Sequence, residues 1–228
     1  MTLKEHVLKE FPNEACGIIT TRGRFIPCKN IHKDPLNFFE MEDEVFTKYK
    51  IKAIIHSHPN GKLEPSAQDM QGQLDTDVEW GIVTTDGIEV SEVLYFGKNT
   101  PDLIGREFKH GVTDCYSLIR DWYKLEKDIE LPEFPRSNNW WNEGENLYEE
   151  YAEEAGFRRL RGDETPQVGD VVLMAIASKV SNHGAILLDG GLLLHHLTNR
   201  LSRREPAAPW RKMFRSWWRY ENNITREN

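Results

Sequence analysis

The sequence predicts an α+β / α/β chain of two unlike domains, and three observations carry that expectation. Short β-branched apolar runs alternate with helix-like segments as far as Phe96, the pattern of a sheet flanked by helices. Gly97-Lys98-Asn99-Thr100-Pro101-Asp102 then forms a polar breaker cluster, which divides the chain into residues 1–98 and 103–228. No internal repeat links the halves, so different folds are expected rather than copies.

In the first half, Leu3 to Phe11 and Glu42 to Lys50 read as helices with strands between them. Ile51-Lys52-Ala53-Ile54-Ile55 is apolar and β-branched, a strand that runs into His56-Ser57-His58-Pro59. Pro59 ends it and Asn60-Gly61 turns the chain. Ser66 caps a helix reaching Asp77 with Asp69 in its first turn, and Trp80 to Thr84 and Ile88 to Phe96 follow as strands. In the second half, Thr113 or Asp114 caps a helix running through Tyr123, which places Cys115 in the first turn. Val171 to Ala177 and Ala185 to Leu188 are of strand length. Asp189-Gly190-Gly191 then turns into the strand Leu192 to His196.

The 228 residues carry a net charge of −8, with 39% hydrophobic and 29% charged residues, a globular rather than disordered balance. The charge is uneven. Acids crowd Glu143 to Glu154, whereas Arg203, Arg204, Arg211, Lys212, Arg215 and Arg219 interleave with Trp210, Phe214, Trp217, Trp218 and Tyr220 in a basic aromatic tail. No nucleic-acid motif accompanies that tail, so a partner or intramolecular interface is the preferred reading. No apolar run is long enough to span a membrane, and Met1 to His6 is polar rather than signal-like, so synthesis and folding in a cytoplasm are expected. Cys16, Cys28 and Cys115 are too few for a disulfide framework. Cys16 and Cys28 read as small buried residues; a structural metal site with His32 is the alternative, though no tight Cys-x-x-Cys spacing supports it.

Residues alternate sides along a strand, so His56 and His58 point the same way. Two imidazoles with Asp69 would leave one tetrahedral position on zinc for water, the arrangement of hydrolytic zinc. His56-Ser57-His58-Pro59 with Ser66 and Asp69 resembles the JAMM (MPN) metalloproteases, and Glu14 stands where that family has an upstream glutamate. The resemblance implies a cytidine-deaminase-like sheet flanked by helices, zinc held by His56, His58 and Asp69, a proton taken by Glu14 and oxyanion help from Ser66.

Helix-terminal amides favour a thiolate at Cys115, while Asp114 opposes it, so a base is needed. His183 is the candidate, and the hairpin can bring His195 beside it, giving nucleophile, base and orienter. From spacing alone, a buried cysteine and two packing histidines explain the same residues. Asp114-Cys115, Gly169-Asp170, His183-Gly184-Ala185-Ile186 and Leu194-His195 together resemble the NlpC-type cysteine peptidases, papain-like enzymes that cut peptidoglycan stem peptides. That resemblance implies Cys115 as nucleophile, His183 as base and His195 as third member, with His196 a competitor. Two departures stand out: Tyr116-Ser117 replaces a common Ser-Gly pair, and Phe108 lies where many members have a tyrosine near the oxyanion.

The order JAMM then NlpC-type resembles the family of tail-tip assembly proteins of lambda-like long-tailed phages. It implies a place in the virion tail tip, other tail-tip proteins as partners, and peptidoglycan peptides as substrate. A structural assembly factor with one or both sites vestigial is the alternative.

Overall fold

The computed structural model describes residues 1–221, which fall into two compact units, Met1–Asn99 and Thr100 onward. Among the described residues no helix is long and apolar enough to cross a membrane.

The first unit opens with α1 (Leu3–Glu10). A capping box between Thr2 and Glu5 satisfies its first amides, and Phe11, held extended before Pro12, ends it. β1 (Cys16–Thr20) and β2 (Phe25–Cys28) form a hairpin; α2 (Glu44–Lys48) is a single short turn of helix before β3 (Ile51–Pro59). α3 (Ala67–Thr76) then leads to β4 (Glu79–Thr85) and β5 (Leu94–Phe96). The sheet order is β2-β1-β3-β4-β5, antiparallel except for β3 and β4. A parallel pair requires a crossover, and α3 supplies it. Ligand sites in such units lie beyond the carboxyl ends of the strands, where His56 and His58 stand. Gly72 lets α3 approach the sheet, because a Cβ there would come within 2.5 Å of the Trp80 ring.

The expected strand from Ile88 is shorter than its sequence pattern. Asp86 accepts hydrogen bonds from the Ile88 and Glu89 amides, and the Ser91 hydroxyl takes the Thr84 amide. Side chains thus replace ladder partners, and regular pairing begins only at Leu94.

The second unit starts with α4 (Cys115–Lys127), followed by a 3₁₀ turn at Trp140–Asn142 and α5 (Leu147–Tyr151). Its strands are β6 (Phe157–Arg159), β7 (Val171–Met174), β8 (His183–Leu188), β9 (Leu192–His195), β10 (Arg203–Pro206) and β11 (Phe214–Tyr220). They form one antiparallel sheet in the order β10-β9-β8-β7-β11-β6. Both faces are covered. Val171, Leu173, Ile186, Leu194 and Trp218 face Leu118, Ile119 and Trp122 of α4, while Val172, Met174, Ala185 and Leu193 pack with Trp210, Phe214 and Trp217. The basic aromatic segment is therefore an intramolecular interface: β11 lies inside the sheet between β7 and β6, with Trp218 in the core and Trp217 partly buried on the opposite face.

The start of α4 is fixed by a buried polar network. Asp114 caps the helix through the Ser117 amide, accepts the Gly111 amide, and receives Nε and Nη2 of Arg136 at 3.1 and 2.8 Å. Arg136 also binds Glu133, which pairs in turn with Arg120. Burial alone would push the Asp114 carboxyl up, but Arg136, His110 and the Ser117 amide hold it well below the usual carboxylate range. Its stabilisation is thus present above about pH 4 and is lost as pH falls further. Asp114→Asn should cost about 3 kcal/mol at pH 7, because it removes one of the two carboxylates that hold the buried Arg136 and leaves only Glu133. Urea denaturation should show the gap to wild type narrowing below about pH 4; equal midpoints at pH 7 would contradict the network's role.

Candidate functional sites

β3 brings His56 and His58 out on one side, and the first turn of α3 brings Asp69 to meet them. The two Nε2 atoms lie 2.9 Å apart, with Asp69 Oδ1 3.1 Å from His56 and Oδ2 3.3 Å from His58. Among the described residues these three form a group able to hold a metal ion. The donor chemistry fits such an ion. His58 Nδ1 donates to the Lys62 carbonyl at 3.0 Å, which leaves the Nε2 lone pair directed at the other two donors. His56 is fully buried; its Nδ1 has no hydrogen-bond partner, and Phe39 stacked at 4.6 Å and the edge of Trp80 hold the ring instead. Burial lowers the His56 pKa, keeping the neutral imidazole that a metal requires. Burial opposes charge on Asp69 as well, yet His56, His58 and Ser66 hold its carboxyl far below the usual range.

Ser66 is the other half of that arrangement. Its amide and hydroxyl both bond Asp69 Oδ2 at 2.7 Å, and its oxygen accepts the Asp69 amide, a capping box that doubles as the acid's clamp. Glu14 enters from the residues before β1. Ser57, the residue between the histidines, takes the Ala15 amide on its hydroxyl at 2.8 Å and gives its own amide to the Ala15 carbonyl. Sequence reasoning left Ser57 without a role; its alternation away from the metal donors was the available signal. Burial pushes the Glu14 carboxyl up to about 7, His58 partly offsets this, and Asp69 and Asp34 add to it. A carboxyl poised there exchanges a proton readily near neutral pH.

The alternative Cys16, Cys28 and His32 set does not assemble. Cys16 and Cys28 are opposite each other on β1 and β2 as free, buried thiols, whereas His32 Nδ1 contacts Asp34 and its ring packs on Phe38.

In the second unit the register pairs Ala185 with His195, so His183 and His195 are diagonal neighbours on one face. His183 Nε2 lies 3.0 Å from His195 Nδ1, and His195 Nε2 lies 2.8 Å from Glu205 Oε1. His196 turns to the Arg200 carbonyl and to Phe108, away from that line. Cys115 sits beside Gly184, whose amide favours its thiolate, but its sulfur bonds the Tyr148 hydroxyl at 3.0 Å rather than an imidazole. A Cβ at Gly184 would meet Ile119 at 2.8 Å and Tyr148 at 3.2 Å, so a side chain there would displace both. Tyr116, the departure after the cysteine, donates its hydroxyl to the Pro132 carbonyl and sets its ring edge-on to Tyr148.

Glu205 and Tyr148 were not identified from sequence. A lone acid among Arg203, Arg204 and Arg211 was a usable signal for the first; Tyr148 was hidden in an acidic run.

The thiolate expected from the helix terminus is not the resting state. Burial and then Asp114 push the Cys115 thiol up to about 11, against the pull of Tyr148, the Gly184 amide and Arg136. Burial, His195 and His196 hold His183 down at about 3. Thiol and imidazole are both neutral at rest. Alkylation of Cys115 by iodoacetamide, quantified by peptide mass spectrometry, should keep accelerating above pH 9; an inflection at or below the ordinary thiol value of about 8.5 would contradict this.

Residues 97–219 match the model of the NlpC/P60 family, and residues 2–93 match that of prokaryotic homologs of the JAB domain. Tail tip assembly protein K of Escherichia phage lambda is 40% identical over 172 residues, covering 75% of this chain and 82% of that protein. Its counterpart in Escherichia phage N15 is 32% identical over 228 residues, covering 95% and 92%. A probable TtuB-protein conjugate cleaving protease of Thermus thermophilus is 31% identical over 97 residues, covering 37% of this chain and 65% of that protein. With a JAB-like half followed by an NlpC/P60 half, the chain belongs to the NlpC/P60 family and, within it, to the tail tip assembly protein K family.

Proposed function

We propose that this chain is a component of a phage tail tip with two hydrolytic centres. The second unit cleaves peptidoglycan stem peptides through Cys115, His183 and His195, and the first is a zinc-dependent peptidase or isopeptidase. The observation that carries the reading is a nitrogen–nitrogen–carboxylate set in one unit and, in the other, a linked imidazole pair on strands whose Gly184 amide reaches the Cys115 thiol.

In the second unit, His183 takes the thiol proton as the sulfur attacks the scissile carbonyl. The amine leaves with that proton, and water then hydrolyses the thioester. First-turn amides of α4 and the Tyr148 hydroxyl are the available donors for the oxyanion. Attack requires Tyr148 to release the sulfur to the substrate.

In the first unit, His56, His58 and Asp69 would hold the metal. A zinc ion there supplies Lewis acidity, lowering the pKa of water to about 7. Glu14, whose carboxyl burial pushes up to about 7, would accept a proton from water there and pass it to the departing amine. Ser66 keeps Asp69 oriented, and its hydroxyl would be a donor for the carbonyl oxygen on leaving Asp69.

A second reading, an assembly factor with a silent thiol site, is favoured by the Tyr148 contact on Cys115 alone. Muropeptide digestion followed by mass spectrometry separates the two. Wild type should cleave, Cys115→Ala should lose at least about 10³-fold in rate, and Glu14→Gln should leave that cleavage intact. Cleavage unaffected by Cys115→Ala would overturn the thiol mechanism. Metal analysis should find near-stoichiometric zinc in wild type and Glu14→Gln, and little in His58→Ala or Asp69→Ala. Full zinc retention by those two variants would remove the proposed ligands.

A further inference from the structure

His183 and His195 could share their hydrogen bond in either direction, and only one direction leaves a useful base. The residue that decides between them lies on β10. Glu205 pairs with Leu193 across the β9–β10 ladder, which puts it on the same face as His195. Its Oε1 is 2.8 Å from His195 Nε2, and Arg203 Nε stands 3.8 Å from the same oxygen.

We infer that Glu205 is a positioning residue that acts through His195 to fix which nitrogen of each imidazole carries hydrogen. A carboxylate can only accept, so His195 Nε2 must be the N–H. Burial lowers the His195 pKa, against the pull of Glu205, and the ring is neutral, so its Nδ1 is a bare lone pair. The 3.0 Å contact then needs a donor, and His183 Nε2–H is the one available. With Nε2 committed, Nδ1 is the remaining nitrogen of His183, unprotonated and free to take the thiol proton. Trp210 lies edge-on to His195 at 4.9 Å and holds the ring in this line.

Without Glu205, His195 can carry its hydrogen on either nitrogen. Half of those arrangements put Nδ1–H toward His183 and drive the latter's own hydrogen onto Nδ1, where it blocks the base. This differs from a structural role, since a carboxylate that merely pinned β10 would leave the tautomers alone. It also explains an acid within the arginine-rich stretch Arg203 to Arg211.

The inference rests on the thiol-peptidase reading for its consequence, though not for its physics. The test therefore uses two measurements on the full chain with nitrogen-15-labelled histidine. Long-range proton–nitrogen correlation spectra should give the Nε2–H tautomer for both His183 and His195 in wild type. In Glu205→Ala both should shift toward mixed tautomers, with Glu205→Leu, which likewise offers no acceptor, read the same way if the alanine variant fails to fold. Muropeptide cleavage should fall roughly 10-fold or more in kcat with KM little changed, and Glu205→Asp should recover part of it. Unchanged tautomers in a folded variant, or a loss confined to KM, would overturn the assignment. If wild type cleaves nothing, the peptidase reading fails, and the spectra alone still decide whether Glu205 sets the tautomers.

Discussion

Asp69 holds two commitments at once. It is the third residue of a helix, bound to the amide and hydroxyl of its own cap, and it is the acid that faces two buried imidazoles. A carboxylate in that position needs compensation, because burying it unpaired would cost several kcal/mol. The cap satisfies part of its hydrogen-bonding capacity and fixes its direction; the imidazoles, or a cation between them, satisfy the rest. Everything in the first unit that bears on chemistry follows from keeping that helix turn at the end of β3. Trp80 against Gly72 seats the helix, and Ser57, bonded to Ala15, fixes the segment before β1 that carries Glu14.

The second unit solves a similar problem with other residues. Here the capping acid, Asp114, directly precedes Cys115, and its charge is held by Arg136. That choice has a consequence for Cys115. The acid that positions the helix terminus also disfavours a thiolate there, so the sulfur rests protonated, and the proposed reaction would need the neutral imidazole of His183 to take its proton. Tyr148 then occupies the thiol's remaining contact, linking the aromatic segment around α5 to the reactive atom.

Local pattern made much of this legible. Period-two alternation put His56 and His58 together, a Ser-x-x-Asp spacing gave the capping box, and a glycine turn gave the hairpin that sets His195 beside His183. What escaped the sequence is non-local. The place of β11 between β7 and β6 depends on sheet order, which no pattern along Phe214 to Tyr220 encodes, so the segment read as an interface with either a partner or this chain's own sheet. Glu205 and Tyr148 reach the site through pairing and packing partners far from them in the chain. The thiol's protonation also needed three dimensions, since the helix terminus and Asp114 act in opposite senses and burial decides between them.

Zinc-edge X-ray absorption of the intact chain tests the first unit's chemistry most directly. A first shell of nitrogen and oxygen at about 2.0–2.2 Å is expected, with two imidazole signatures and no sulfur, lost together in Asp69→Ala. A shell containing sulfur at about 2.3 Å, or a spectrum unchanged by removing Asp69, would contradict it.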